Sequence, residues 1–253
     1  MSGNPVVPTV VLFGTGMSAI VAAISITEAT TGSPVIVVGG LAVLCRLSRP
    51  HRATTDLDTV NRRRAGDPSQ LELLVASGGR PSGPSGVQVD TPLGPVQVDV
   101  LEVSDAEMDQ LPVDPTDRLH VLSHAWAAET ATTVIVRSEG GQQVRVLVAR
   151  PGALIAMKLQ SIMNRGAAKE ATDLLDVVRL TLDPECGATA RLELAEAHPQ
   201  LKADALLHSQ RWFGPGAHRS LRALKKIPEG QDTAYDDLEL VGELLFEALR
   251  PRD

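Results

Sequence analysis

The stretch that most constrains the fold is residues 35–58, VIVVGGLAVLCRLSRPHRATTDLD. Val35–Val38 is a continuous apolar, β-branched run, the pattern of a strand buried on both faces. Gly39–Gly40 turns the chain. Leu41, Ala42, Leu44, Cys45 and Leu47 then recur at helical spacing, and Pro50 is the expected end of that helix. Thr54–Val60 reads as an extended segment in which Asp56 and Asp58 flank Leu57. Side chains alternate across a strand, so both acids share one face and Leu57 takes the other. The remainder of the chain has to fit this order of strand, glycine turn, helix and acidic strand.

Before it, residues 10–16 (VVLFGTG) read as a strand entering a turn, followed by a helix over 17–30. Gly14, Gly16 and Ala19 fit G-x-G-x-x-A, a dinucleotide fingerprint. That motif also needs an acid at the end of the next strand to hold a ribose, and the next strand ends in Gly39–Gly40. A glycine turn before a core helix is the reading retained.

After it, Arg62–Arg64 is a basic run of the kind that usually faces solvent. Residues 71–76 form a short helix or strand, and Ser77–Gly86 (SGGRPSGPSG) reads as a flexible loop without the G-K-[ST] of a P-loop. Residues 87–90 and 95–103 alternate and flank T-P-L-G, a hairpin. Val96, Val98 and Val100 share one face there, so Asp99 lies on the other and supplies a third strand carboxylate. Residues 132–137 and 143–148 form a second hairpin around S-E-G-G. His120 and His124 stand one helical turn apart, but no third ligand accompanies them, so ordinary packing is the better reading. From Pro151 the pattern is helical throughout: 154–163, 168–182, 192–197, 202–208 and 233–249. The expected fold class is α+β, with an N-terminal mixed β-sheet core flanked by helices (1–150) and a C-terminal helical domain (151–253).

Composition removes several classes of function. The formal net charge of −7 excludes a protein that coats nucleic acid over its whole surface, so any such contact has to come from a local basic patch. Arg211, His218, Arg219, Arg222, Lys225 and Lys226, with Trp212 and Phe213 at their start, form that cluster. It suits either an RNA backbone or a basic helix face paired with the acidic remainder. Aromatics make up 2% of residues, too few for a dedicated single-strand-binding platform. With two distant cysteines and no basic start before the first apolar run, the expectation is a cytoplasmic protein without disulfide framework, signal peptide or membrane span.

Three strand carboxylates, two of them spaced D-x-D, repel one another unless a cation sits among them. Mg²⁺ is the fitting cation, because it takes carboxylate oxygens and brings substrate phosphates with it. Gly39 and Gly40, without side chains, let phosphates approach the backbone, with the N-terminus of the following helix aimed at the anion.

This order of parts resembles the polymerase-β-type nucleotidyltransferase superfamily, defined by a G-G or G-S turn, D-x-[DE] and a later third acid. Gly39-Gly40, Asp56-Leu57-Asp58 and Asp99 match. Arg52-Ala53-Thr54-Thr55-Asp56-Leu57-Asp58 is closer to one branch, the AbiEii/MenT-type toxins, which carry R-x-[ST]-x-D-[IL]-D. That branch continues with a Lys, an Arg and D-x-x-D, matched in order by Lys158, Arg165 and Asp173-Leu174-Leu175-Asp176; Thr172 stands where the branch carries a basic residue.

The resemblance implies transfer of a nucleoside monophosphate from an NTP to an acceptor, in that branch typically tRNA, by a toxin that a cognate antitoxin protein restrains. It implies Mg²⁺ on Asp56 and Asp58, and Asp99 as third ligand or as base toward the acceptor. It also implies Lys158 at the triphosphate, Thr54 or Thr55 at a phosphate, and a catalytic role for Asp173. A lysine lying along its helix surface is the plain alternative for Lys158. Two other functions are compatible with the same fold: a nucleotidyltransferase acting on a small molecule such as an antibiotic, and a non-catalytic nucleotide-binding or interaction protein.

Overall fold

The computed structural model describes residues 7–164 and 167–251. In chain order the strands are β1 (Thr9–Leu12), β2 (Ile36–Val37), β3 (Asp56–Arg63), β4 (Arg80–Pro81), β5 (Gly86–Thr91), β6 (Gly94–Ser104), β7 (Thr132–Ser138) and β8 (Gln143–Val148). The helices are α1 (Thr15–Thr31), α2 (Gly39–Arg46), α3 (Gln70–Ala76), α4 (Asp105–Asp109), α5 (Pro115–Thr130), α6 (Pro151–Asn164), α7 (Ala167–Leu182), α8 (Gly187–Glu196), α9 (Pro199–Phe213), α10 (Ala217–Leu224) and α11 (Tyr235–Leu249). The mixed sheet and the helical second half are the α+β class expected.

The chain divides into two compact units. The first draws on Met1–Cys45, Ala53–Asp105 and Ala127–Ala149; the second on Arg46–Arg52, Ala106–Trp126 and Arg150–Asp253. This division does not follow a single cut after residue 150, because two segments from the N-terminal half belong to the second unit.

The first unit is built on one eight-stranded sheet in the order β1-β7-β8-β2-β3-β6-β5-β4. Its pairings mix parallel (β1 with β7, β2 with β8, β3 with β6) and antiparallel (β2 with β3, β5 with β6, β7 with β8). Helix α1 packs across β3, β5, β6, β7 and β8. Its AIVAAI run, residues 19–24, is buried throughout, which suits a helix laid along a sheet face. Along β6 the alternation works as expected: Val96, Val98 and Val100 are buried and the residues between them are half-exposed.

The second unit is helical. Helix α6 packs on α7, α8 and α9, and α11 closes against α7, α8, α9 and α10. Leu154, Ile155 and Leu159 of α6 and Leu174 and Leu175 of α7 are fully enclosed. Among the described residues no helix is long and apolar enough to cross a membrane. Cys45 and Cys186 are both free thiols.

Several local expectations shift. Helix α2 ends at Arg46, before Pro50. The glycine- and serine-rich 77–86 segment contributes the edge strand β4, paired with β5. Arg62 is not simply solvated, since it pairs with Asp105 and Glu129. The basic stretch near residue 220 forms a helix of its own, α10, which the apolar spacing did not announce.

Candidate metal and nucleotide site

Strand pairing assembles the first cluster. β3 and β6 run parallel with Asp58 opposite Asp99 and Asp56 opposite Gln97. Leu57 and Val98, one position along on each strand, are fully buried on the other face. That burial fixes the register, because a one-residue slip would turn the acids into the core. One oxygen from each of Asp56, Asp58 and Asp99 lies within 4.8 Å of the others, and all three residues are half-exposed. Among the described residues this is the only grouping of metal-ligating side chains of that size.

Neighbouring groups hold the acids in place. The Thr54 hydroxyl donates to Asp56 Oδ1 at 2.6 Å. The Gln97 amide donates to Asp99 Oδ1 at 2.8 Å. Thr59, buried, donates its hydroxyl to the Asp99 carbonyl at 3.2 Å, tying β3 to β6 behind the site. The Val38 N–H donates to the Asp58 carbonyl at 2.9 Å, which brings the end of β2, and hence Gly39, alongside Asp58. Gly39 has a φ of 60°, and a Cβ there would overlap the Asp58 carboxylate, so both its backbone and its surroundings require glycine. Gly40 is buried in the first turn of α2, and Thr55 is exposed at the entrance to β3.

The donor set suits a hard divalent cation: three carboxylates, no sulfur, no imidazole and partial access to solvent. Asp56, Asp58 and Asp99 are the residues that would hold such a cation.

Lys158 and Asp173 come together in the second unit, not in the triad. The Lys158 ammonium lies 2.6 Å from Asp173 Oδ1 and 2.7 Å from Asp176 Oδ2, and all three side chains are buried. Ser161 adds a hydroxyl to Asp173 Oδ2 at 2.9 Å. Arg52 binds Asp176 through Nε to Oδ1 at 3.2 Å and Nη2 to Oδ2 at 2.8 Å. His51 Nε2 stands 3.2 Å from Asp176 Oδ1. Burial pushes the Asp176 carboxyl upward, but Lys158, His51 and Arg52 outweigh it and hold that group well below the usual carboxylate range. Burial likewise opposes the Lys158 charge, and Asp176 and Asp173 more than restore it, so its pKa is raised. Arg165 lies outside the described residues.

Asp176 is the centre of this network. The D-x-x-D spacing marked it, but no sequence signal links it to Arg52, 124 residues away. Thr54 was expected at a phosphate, and its hydroxyl is engaged with Asp56. Gln97 was visible only as a polar residue on an alternating strand. His120 and His124 lie with ring centroids 3.9 Å apart and planes tilted by 38° within α5, and His124 Nδ1 meets the His120 carbonyl at 2.7 Å, consistent with packing.

The basic stretch lies at the end of α9, on α10 and on the two residues that follow it. Arg211, His218, Arg219, Arg222, Lys225 and Lys226 are all exposed. Arg219 pairs with Glu170 at 2.9 Å and lies over the Trp212 ring. His218 stacks on Tyr235 at 4.4 Å. No acidic residue occurs between Asp204 and Glu229.

No protein-family model and no curated protein matches the chain. Among solved structures, an antigenic nucleotidyltransferase-like protein from Paracoccidioides brasiliensis is similar, with 18% identity and a TM-score of 0.47, over 82% of this chain and 93% of that one.

Proposed function

We propose that this chain is a Mg²⁺-dependent nucleotidyltransferase whose reaction centre is Asp56, Asp58 and Asp99. The observation that carries the reading is the carboxylate triad: in register on parallel strands, half-exposed, and set beside a glycine that its own geometry requires. Such a triad stores mutual repulsion that a divalent cation relieves. Mg²⁺ bound there supplies charge compensation to phosphate oxygens and makes an acceptor hydroxyl more acidic.

The chain's own residues have distinct parts in this reading. The N-terminus of α2, opened by Gly39 and Gly40, offers backbone N–H groups to phosphate, and exposed Thr55 offers a hydroxyl. Asp99 takes the proton of the acceptor hydroxyl. That oxygen attacks the α-phosphorus in line, a new O–P bond forms, and the bond to pyrophosphate breaks with the electron pair leaving on pyrophosphate. Lys158 and Asp173 act at one remove: with Asp176 they anchor Arg52, which precedes the Thr54–Asp58 stretch in the chain.

RNA, in particular tRNA, is the acceptor we favour over a small molecule. The acid-free run 205–228, with its exposed cations and the stacked His218–Tyr235 pair, suits a phosphate backbone and an unstacked base in a chain that is otherwise acidic. The resemblance at Arg52–Asp58 extends the proposal to a toxin held in check by a cognate antitoxin.

Incubation with Mg²⁺, each labelled NTP and total tRNA tests this. Label should reach tRNA with at least one NTP, and Asp58→Asn should abolish transfer while the protein stays folded. Arg222→Glu/Lys226→Glu should lose transfer to tRNA; undiminished transfer would remove this basic stretch from the acceptor contact, and transfer by wild type to no RNA would favour a small acceptor. Absence of any transfer together with absence of Mg²⁺-dependent NTP binding would refute the catalytic reading.

A further inference from the structure

Resting on the assignment of Asp56, Asp58 and Asp99 to a cation, we propose that Thr54 and Gln97 are positioning residues. They are neutral hydrogen-bond donors that each fix one carboxylate of the triad without cancelling its charge.

The geometry is direct. Thr54 is 6% exposed, and its hydroxyl, which has one hydrogen to give, is 2.6 Å from Asp56 Oδ1 and 3.4 Å from the Asp56 carbonyl. The shorter contact takes the proton. Gln97 is two residues before Asp99 on β6 and so on the same face. Its Nε2 is 2.8 Å from Asp99 Oδ1 and 3.5 Å from the Ser82 carbonyl. Both neighbours are acceptors, which orients the amide with its NH₂ toward them. Space for this arrangement comes from a third element. Gly86 of β5 stands opposite Asp99, and a Cβ there would lie 2.7 Å from Asp99 Oδ1 and overlap both Gln97 Nε2 and the Ser82 carbonyl. Thr54 and Gln97 both bind Oδ1, so Oδ2 of Asp56 and of Asp99 stays outside these two bonds.

The choice of donor carries the functional argument. Elsewhere, half-exposed Glu102 and Asp183 take hydroxyl, amide and backbone donors, whereas cations hold other acids: Lys158 and Arg52 on Asp173 and Asp176, and Arg118 on Asp204 at 2.7 Å. Those carboxylates are buried, and their charge is balanced within the fold. The described side-chain donors to Asp56 and Asp99 are instead a hydroxyl and an amide. A guanidinium or ammonium would bind the carboxylates more strongly but would subtract the negative charge that draws a divalent cation. Neutral donors restrict carboxylate rotation and leave that charge intact, the role outer-shell partners play around metal ligands.

The test is Mn²⁺ binding to the full chain, read as loss of the free-Mn²⁺ electron paramagnetic resonance signal, with thermal unfolding in parallel. Thr54→Val and Gln97→Met should each bind Mn²⁺ about tenfold more weakly than wild type, with unfolding temperature close to wild type. Thr54→Ser, which keeps the hydroxyl, should restore the affinity. Gln97→Arg should bind more weakly than Gln97→Met, because its guanidinium pairs with Asp99 in place of the cation. If wild type binds no Mn²⁺, the cation assignment itself fails. If wild type binds and both Thr54→Val and Gln97→Met match it, the positioning role is overturned while the assignment stands. Gln97→Arg binding as well as wild type would overturn the neutral-donor argument. The two sites are separate, so misfolding of one variant leaves the other to decide.

Discussion

Lys158→Met removes the ammonium from between two buried carboxylates, and its cost follows from the network. The ammonium is 2.6 Å from Asp173 and 2.7 Å from Asp176, inside the second unit. Without it Asp173 retains the Ser161 hydroxyl, whereas Asp176 retains both bonds from Arg52. Removing one partner of a buried ion pair costs about 3–5 kcal/mol, because the other charge is left uncompensated. The surviving Arg52 pair places the expected loss at the lower end, about 3 kcal/mol. At about 3 °C per kcal/mol for a chain of this size, the unfolding temperature should fall by about 9 °C. Circular dichroism at pH 7 measures it, and adding Asp173→Leu should recover about 1 kcal/mol or more, since the two sites couple. The pH dependence has a definite sign. The depressed Asp176 pKa contributes stability that is present above its unfolded value near 3.9 and lost as pH falls through the native one. The raised Lys158 pKa contributes stability that is present below about 10.4 and lost as pH rises through its native value. The gap between wild type and Lys158→Met should therefore be flat from about pH 5 to 9 and close at the acid end. An unfolding temperature within about 2 °C of wild type, with NTP binding abolished, would refute this reasoning and return the ammonium to the substrate.

Gly39→Ala should lower Mn²⁺ affinity more than tenfold while costing only a few degrees of unfolding temperature, since its Cβ strikes the Asp58 carboxylate and its φ is 60°; Mn²⁺ titration beside thermal unfolding checks this. Leu57→Ala should cost about 2–5 kcal/mol in urea unfolding, because that side chain is fully enclosed on the face of β3 opposite the two acids. Burial pushes His120 and His208 below the ordinary histidine pKa, so the unfolded chain binds protons more readily and stability should fall as pH drops through about 6.5. His120→Gln should flatten that slope between pH 7.5 and 5.5, measured by thermal unfolding.

Much of the fold was legible because its signals are local. The β-branched run at 35–38, the glycine pair, the helical spacing after it and the alternation in β3 and β6 each depend on a few neighbouring residues, and each corresponds to an element in place. The misjudged elements are those whose local signal is ambiguous. Residues 77–86 carry loop composition, yet Arg80–Pro81 pairs as an edge strand, where a proline is tolerated. Helix α10 has too few apolar residues to announce itself; Ala217, Ser220 and Leu224 are what it buries.

The candidate site divides along the same line. By itself the sequence determined that Asp56 and Asp58 share one strand face, that Asp99 lies opposite a valine face, and that a glycine turn precedes them, because strand alternation and glycine's lack of a side chain need no partner to be read. Only the tertiary structure decided that β3 lies parallel beside β6 with Asp58 facing Asp99, that Gln97 and Thr54 are the donors to the acids, that Gly39 is shaped by Asp58, and that Lys158 is enclosed by Asp173 and Asp176 with Arg52 on the latter. Strand register and the pairing of buried charges join residues tens to more than a hundred positions apart, and both are set by which packing of the whole chain leaves the fewest charges and backbone groups unsatisfied.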